Sequence, residues 1–248
     1  MTRVLVTNDD GIDAPGLLCL ARHARDAGLE VTVAAPAQQS SGSSASIMAE
    51  DNDGRIAMER RELPDLDGVP AFAVHGGPGL IALIAARGAF GEAPELVLSG
   101  VNHGANVGRA ILHSGTVGAA LTGALNGSWA AAVSLDVGIA PEEFHWDTAA
   151  HAVMELVPAL LERPAGTVIN INVPNTPTHH GVKEATLAPF GIVQTTLTDS
   201  DEHYVRLAVE DLPNRPEPGT DAAYLAQGWV TVTGLDAVRH VPLGLEAS

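Results

Sequence analysis

A doubly wound α/β fold, with a mainly parallel sheet and helices on both faces, is predicted for this chain on three observations. Short β-rich runs alternate with helical runs from residue 3 to about residue 175, the pattern of parallel strands joined by crossover helices. Polar, glycine-containing loops follow several of those strands, and ligands in such sheets collect at the carboxyl ends of the strands. Of the 248 residues, 46% are hydrophobic but only 4% aromatic, so a large core is available and Ala, Val and Leu must fill it.

Each element has its own signal. Arg3–Thr7 is a strand, ended by the turn sequence Asn8-Asp9-Asp10-Gly11. From Gly16 to Ala27 apolar residues recur at helical spacing, and Gly28 stops them. Glu30–Pro36 is the second strand, followed by "AQQSSGSSAS", a polar loop with little to bury and suited to binding. Between residues 47 and 76 the pattern breaks into a hairpin-like excursion, with "NDG" and "LDG" punctuating the strand-like "RIAMER" and "AFAVHG". "GPGLIALIAARGA" is a helix with Pro78 near its start. Glu95–Gly100 is a buried strand, and "VNHGANVGRAILH" is a long glycine-containing loop. Ser114 caps a small-residue helix that runs to Gly127. "AAAVSLD" is a strand. "FHWDTAAHAVMELVPALLE" is an amphipathic helix that Pro158 should kink or break. "GTVININVP" is the next strand. Residues 1–175 therefore read as the α/β core and 176–248 as a proline-rich extension, in which "YVRLAVE" and "GWVTVTGL" alternate as strands do.

Composition excludes several roles. The net charge is −17, from 13 Lys+Arg against 30 Asp+Glu, and no basic stripe stands out. That argues against duplex nucleic acid and anionic membrane as partners. No apolar run approaches the ~20 residues of a membrane span. The N-terminus reads directly as a strand, without signal-peptide features. Cys19 is the only cysteine, which excludes an intrachain disulfide and fits a reducing, cytoplasmic setting.

Three polar loops follow three strands at one sheet edge: Asn8–Gly11, Ser40–Ser44 and Ser99–Asn106. Two carboxylates, a hydroxyl and an amide converging there make an all-oxygen donor set, which suits a hard divalent cation. Such an ion would relieve the repulsion between Asp9 and Asp10. Taken alone, the pair reads better as a surface turn with Asx hydrogen bonding; following a buried first strand and flanked by the other loops, it reads as a metal site. A fourth element adds an anion site, because Ser114-Gly115-Thr116 opens a helix with unpaired N–H groups. Metal plus helix N-terminus points to metal-assisted phosphoester hydrolysis. An aspartyl-phosphate route needs two aspartates separated by one spacer residue. Asn8 and Gly11 flank the Asp9-Asp10 pair here, so attack by water is the preferred reading. His103 reads as a surface or packing histidine, while His113 fits a proton donor or a packing residue equally. His179-His180 reads as a loop rather than a metal pair. Gly76–Gly79 lacks the Lys of a phosphate-binding Walker loop.

Five blocks, "VLVTNDDGIDAPGL", "APAQQSSGSSAS", "SGVNHGANVG", "HSGTVGAALTG" and "GTDAAYLAQGWVTVT", together resemble the successive signatures of the SurE (survival protein E) family, in order from residue 4 to residue 233. The resemblance implies a Rossmann-like core and a metal-dependent phosphomonoesterase acting on nucleoside 5′- and/or 3′-monophosphates. It implies one Mg²⁺ or Mn²⁺ per subunit, held by Asp9, Asp10, Ser41 and Asn102, with Asp9 and Asp10 as catalytic residues and phosphate contacts from Asn106, Ser114, Gly115 and Thr116. It also implies a homodimer or homotetramer that exchanges C-terminal segments. Gly77, Leu80, His113 and Thr122 depart from the family's Thr, Asp, Tyr and Glu at those places. These departures keep a second reading open, a phosphate- or nucleotide-binding homologue with weak or lost turnover.

Overall fold

The computed structural model describes residues 1–40, 42–47, 51–52, 54–138, 141–189, 193–200, 205–211, 216–236, 238, 240 and 242. In chain order the elements are β1 (Arg3–Thr7), α1 (Pro15–Asp26), β2 (Glu30–Pro36), β3 (Asp51–Asn52), β4 (Arg55–Ile56), β5 (Met58–Arg60), β6 (Ala71–Val74), α2 (Pro78–Ala85), β7 (Leu96–His103), a 3₁₀ turn (Gly108–His113), α3 (Gly115–Leu125), β8 (Trp129–Asp136), α4 (Trp146–Leu161), β9 (Val168–Pro174), β10 (Val182–Glu184), β11 (Val193–Ser200), β12 (Val205–Asp211), α5 (Asp221–Leu225) and β13 (Val230–Leu235).

Nine strands form one sheet in the order β10-β13-β9-β8-β7-β1-β2-β6-β5. The six central strands, β9 to β6 in that order, are mutually parallel, while β13 on β9 and β5 on β6 run antiparallel. The chain winds outward from β1 through β2 to β6, then returns to β7 beside β1 and winds the other way. The switch point therefore lies between the carboxyl ends of β1 and β7, where such sheets open a crevice. The expected doubly wound α/β class is what the structure has. Among the described residues, β11 pairs with β12 and β3 with β4 in two separate two-stranded sheets.

Alternation along β1 sends side chains into two cores. Val4 and Val6 pack with Leu17 and Leu20 of α1 and Ala149 and Val153 of α4. Leu5 points the other way, with Ile81 of α2 and Val117 of α3. Both faces of the sheet are thus covered, and small side chains fill much of the space, as the low aromatic content requires.

Two expectations change. β7 extends three residues beyond Gly100, through Asn102 and His103, because β8 continues to pair with it after a register shift between Ser99 and Asn102. Gly100 takes φ +145° at this step, and a Cβ there would strike the Val133 carbonyl. Pro158 lies inside α4 without breaking it, since Val157 and Leu160 are buried on the same core and hold the two halves together.

Candidate active site

The carboxyl ends of β1, β7 and α3's N-terminus border a cavity of about 750 Å³. Asp9, Asp10, Asn102, Asn106 and Ser114 line it, with His103 and His113, and Phe144 and Trp146 form an aromatic wall on one side. The turn after β1 is braced by Asn8, whose amide donates to the Gly11 carbonyl (3.0 Å) and accepts from the Gly11 N–H (3.1 Å). Gly11 sits at φ +106°, which a side chain would strain. The asparagine is fully buried, so it fixes the turn that presents the two acids.

Asp9 is buried at 5% exposure and accepts a 2.6 Å hydrogen bond from the Thr116 hydroxyl. Burial pushes its carboxyl above the ordinary range; the Thr116 bond opposes this and the adjacent Asp10 adds to it. Asp10 accepts from the His103 backbone N–H (3.1 Å), so β7 positions it from across the switch point. Among the described residues neither acid has a basic partner within ion-pair distance. The Ser43 hydroxyl beside Asp9 is buried and has no hydrogen-bond partner among the described residues. A Cβ at Gly115 would lie 2.8 Å from Asp9 Oδ2 and 2.7 Å from Ser43 Oγ, so only glycine lets α3 approach the acids this closely. Two crowded carboxylates with no basic side chain between them, next to neutral oxygens, fit a hard divalent cation.

The remaining expected residues divide by what they touch. Asn102 donates its amide to the Gly104 carbonyl (2.6 Å), which leaves its amide oxygen as the atom to face a cation. Ser41 lies outside the described residues. Ser114 caps α3, accepting from the Val117 N–H (3.1 Å), and also lines the cavity. Thr116 is directed to Asp9. The serine loop is wedged against glycines: a Cβ at Gly118 would strike the Ser44 carbonyl, and one at Gly79 would lie 2.9 Å from the Ala45 carbonyl carbon.

Asn106 is held by a buried polar network. Its N–H donates to Asn172 Oδ1 (2.8 Å) and its side chain to Ser134 Oγ (2.9 Å), while its carbonyl accepts from Asn170 (2.8 Å) and Asn172 (2.9 Å). Ser134, Asn170 and Asn172 are fully buried. These three were not singled out from the sequence, although polar residues at alternate places in the apolar "VININV" are the signal that could have found them. Asp221 was missed as well. It is fully buried and accepts from the backbone N–H groups of Gly108 (2.8 Å), Ala188 (2.9 Å) and Ala222 (2.8 Å). It ties the loop after Asn106 to the C-terminal segment.

The four departures sit around this frame. Gly77 is the residue before α2, Leu80 is buried in it, and the Thr122 hydroxyl donates to the Gly118 carbonyl within α3 (2.7 Å). His113 lines the cavity. His103 packs its ring 5.3 Å from that of Phe144. His179 accepts from the Gly181 N–H in a loop (3.1 Å), and His180 packs against Trp229.

The family model for "Survival protein SurE" matches residues 4–196. The 5'-nucleotidase SurE of Stenotrophomonas maltophilia is 34% identical over 99% of this chain and 95% of its own length. The 5'-nucleotidase SurE of Nitrosococcus oceani is 37% identical over 97% of this chain and 94% of its own. The crystal structure of the SurE protein from Aquifex aeolicus superposes with a TM-score of 0.77 at 26% identity, covering 94% of this chain and 92% of that one.

Proposed function

The chain belongs to the SurE family, and on that premise we propose that it is a metal-dependent 5'-nucleotidase, releasing phosphate from nucleoside monophosphates. The observation that carries the reading is the Asp9–Asp10 pair, Asp9 buried and Asp10 half-buried, at the switch point beside the N-terminus of α3 without a basic partner among the described residues.

Asp9, Asp10 and Asn102 would hold the ion, with Ser41 as a fourth donor, and Mg²⁺ or Mn²⁺ suits so oxygen-rich a set. Such an ion, when bound, polarises a phosphoryl oxygen and makes water a stronger nucleophile. The chain's own residues do the rest. Thr116 and the His103 N–H orient the two carboxylates, so little reorganisation is needed when charge develops. The α3 N-terminus at Gly115 would turn its positive dipole end toward the phosphate, while the Ser114 N–H is taken by the Ile111 carbonyl. Asn106, locked by Ser134, Asn170 and Asn172, keeps a fixed polar wall opposite. His113 at the rim is the candidate to donate a proton to the leaving oxygen. The segment from residue 176 onward would serve subunit exchange in a dimer or tetramer.

The test is a panel of nucleoside 5′- and 3′-monophosphates and a generic aryl phosphate, each assayed with Mg²⁺, Mn²⁺ and chelator. Metal-dependent release of phosphate from nucleotides, abolished in Asp9→Asn, is the expected result. Nucleotide binding without turnover under every metal would overturn it.

A further inference from the structure

Helix α1 carries a second cluster of ligating side chains, next to the aromatic wall at Trp146. Cys19 and His23 are four residues apart, so they project from one face of the helix. Asp147, in the first turn of α4, meets them. Cys19 Sγ lies 3.4 Å from Asp147 Oδ1 and 3.7 Å from His23 Nδ1, and His23 Nε2 lies 3.7 Å from Asp147 Oδ1. One ligand atom from each residue falls within 4.8 Å of the others. Ligands on a tetrahedral zinc ion, with metal–ligand bonds of about 2.0–2.3 Å, stand roughly 3.5 Å apart, so the 3.4 Å from Cys19 Sγ and the 3.7 Å from His23 Nε2 to Asp147 Oδ1 are near the spacing of a loaded site, with Nε2 as the imidazole's ligand atom.

The surroundings agree with this use. Cys19 is 1% exposed and His23 is half-buried, while Asp147 is exposed, so the cluster is closed at the sulfur and open to solvent at the carboxylate. His23 Nδ1 is 3.0 Å from the Cys19 carbonyl, a backbone contact that orients the imidazole as metal-bound histidines are oriented. The Arg22 guanidinium hydrogen-bonds the thiol from one side, where its charge favours a thiolate, and also pairs with Asp65 at 3.1 Å. Sulfur, nitrogen and oxygen together form a borderline-soft set, in contrast to the all-oxygen set at Asp9.

We propose that Cys19, His23 and Asp147 form a second metal site, taking a zinc-class ion with water as fourth ligand. The ion clamps α1 to α4. Asp147 directly follows Trp146, which stacks on Phe144 (5.4 Å between rings, 9° between planes) in the cavity wall. Trp146 also contacts α1, its ring lying 3.0 Å from where a Cβ on Gly16 would be. A metal at Asp147 therefore stiffens the wall from behind, independently of the ion at Asp9.

The test is titration of the full, metal-free chain with Co²⁺, zinc's spectroscopic stand-in, followed by displacement with Zn²⁺. A thiolate-to-cobalt charge-transfer band saturating at one equivalent is expected, reversed by Zn²⁺. It should vanish in Cys19→Ser, persist in Asp9→Asn, and need about tenfold or more Co²⁺ in His23→Gln and Asp147→Asn. Asp147→Asn alters an exposed side chain, so a folded protein is available for the comparison even if the Cys19 variant is unstable. Absence of the band in the wild type would overturn the site. So would a band of unchanged affinity in both His23→Gln and Asp147→Asn.

Discussion

Asp9 and Asp221 are both aspartates removed from water, one at the head of the sheet and one in the C-terminal segment. Asp221 accepts three backbone N–H groups. Asp9 accepts from the Thr116 hydroxyl, with the backbone N–H groups of Asp9 and Thr116 adding to it, and has a second acid as its neighbour. A buried carboxylate whose donors join separate segments is a structural tie. One crowded by a second acid, with no basic partner among the described residues, keeps its charge at a cost that a cation can relieve. Burial alone therefore does not identify an active-site acid here; the neighbouring acid does.

The contrast can be broken by experiment. Asp221→Ala strands three buried N–H groups and should cost about 3–5 kcal/mol in urea unfolding, with or without added divalent metal. If it costs no more than a surface substitution, the tie is not what it looks like. Asp9→Asn should instead lower turnover by roughly a hundred- to a thousandfold in steady-state assays, while the metal-free variant melts no lower than the wild type. A lower melting temperature would make Asp9 a second structural tie. Saturation with Mg²⁺ or Mn²⁺ at about a hundred times Kd should stabilise the wild type by about 2.7 kcal/mol and the Asp9→Asn variant far less. The smallest effect is on pH dependence. Burial raises the Asp9 carboxyl above its unfolded value, so between those two values the folded chain binds more protons than the unfolded chain. Stability of the metal-free protein therefore falls as pH rises through that interval. Urea midpoints from about pH 4 to pH 7 should show the fall, reduced in Asp9→Asn. Asp136, also raised by burial, contributes with the same sign and leaves a residue of it.

Much of the fold was legible because its signals are local. Strand β2 and the N-cap of α3 follow from a β-rich run and from Ser114 within a few residues of chain. What was not legible depends on distant partners. β7 continues past Gly100 only because β8 is there to receive Asn102 and His103. The helix survives Pro158 only because both halves are anchored in one core. The paired acids could be seen as a site from composition and order, whereas Thr116 as a partner of Asp9 needed the approach of α3. The Asn106 network needed β8 and β9 side by side. Ser41 lies outside the described residues, so its expected role stands as a proposal.

The seam of Gly79, Gly115 and Gly118 against the serine loop has an evolutionary consequence. At each place the space admits a hydrogen and nothing larger, and almost every missense change of a glycine codon installs a Cβ. The loop can vary after Ser43, since it presents backbone to Gly79 and Gly118, whereas at Gly115 it presents the Ser43 hydroxyl. Random mutagenesis should therefore yield tolerated changes within 44–46 and almost none at the three glycines facing the loop. A library selected for activity would show the site as a permissive strip bordered by three invariant points.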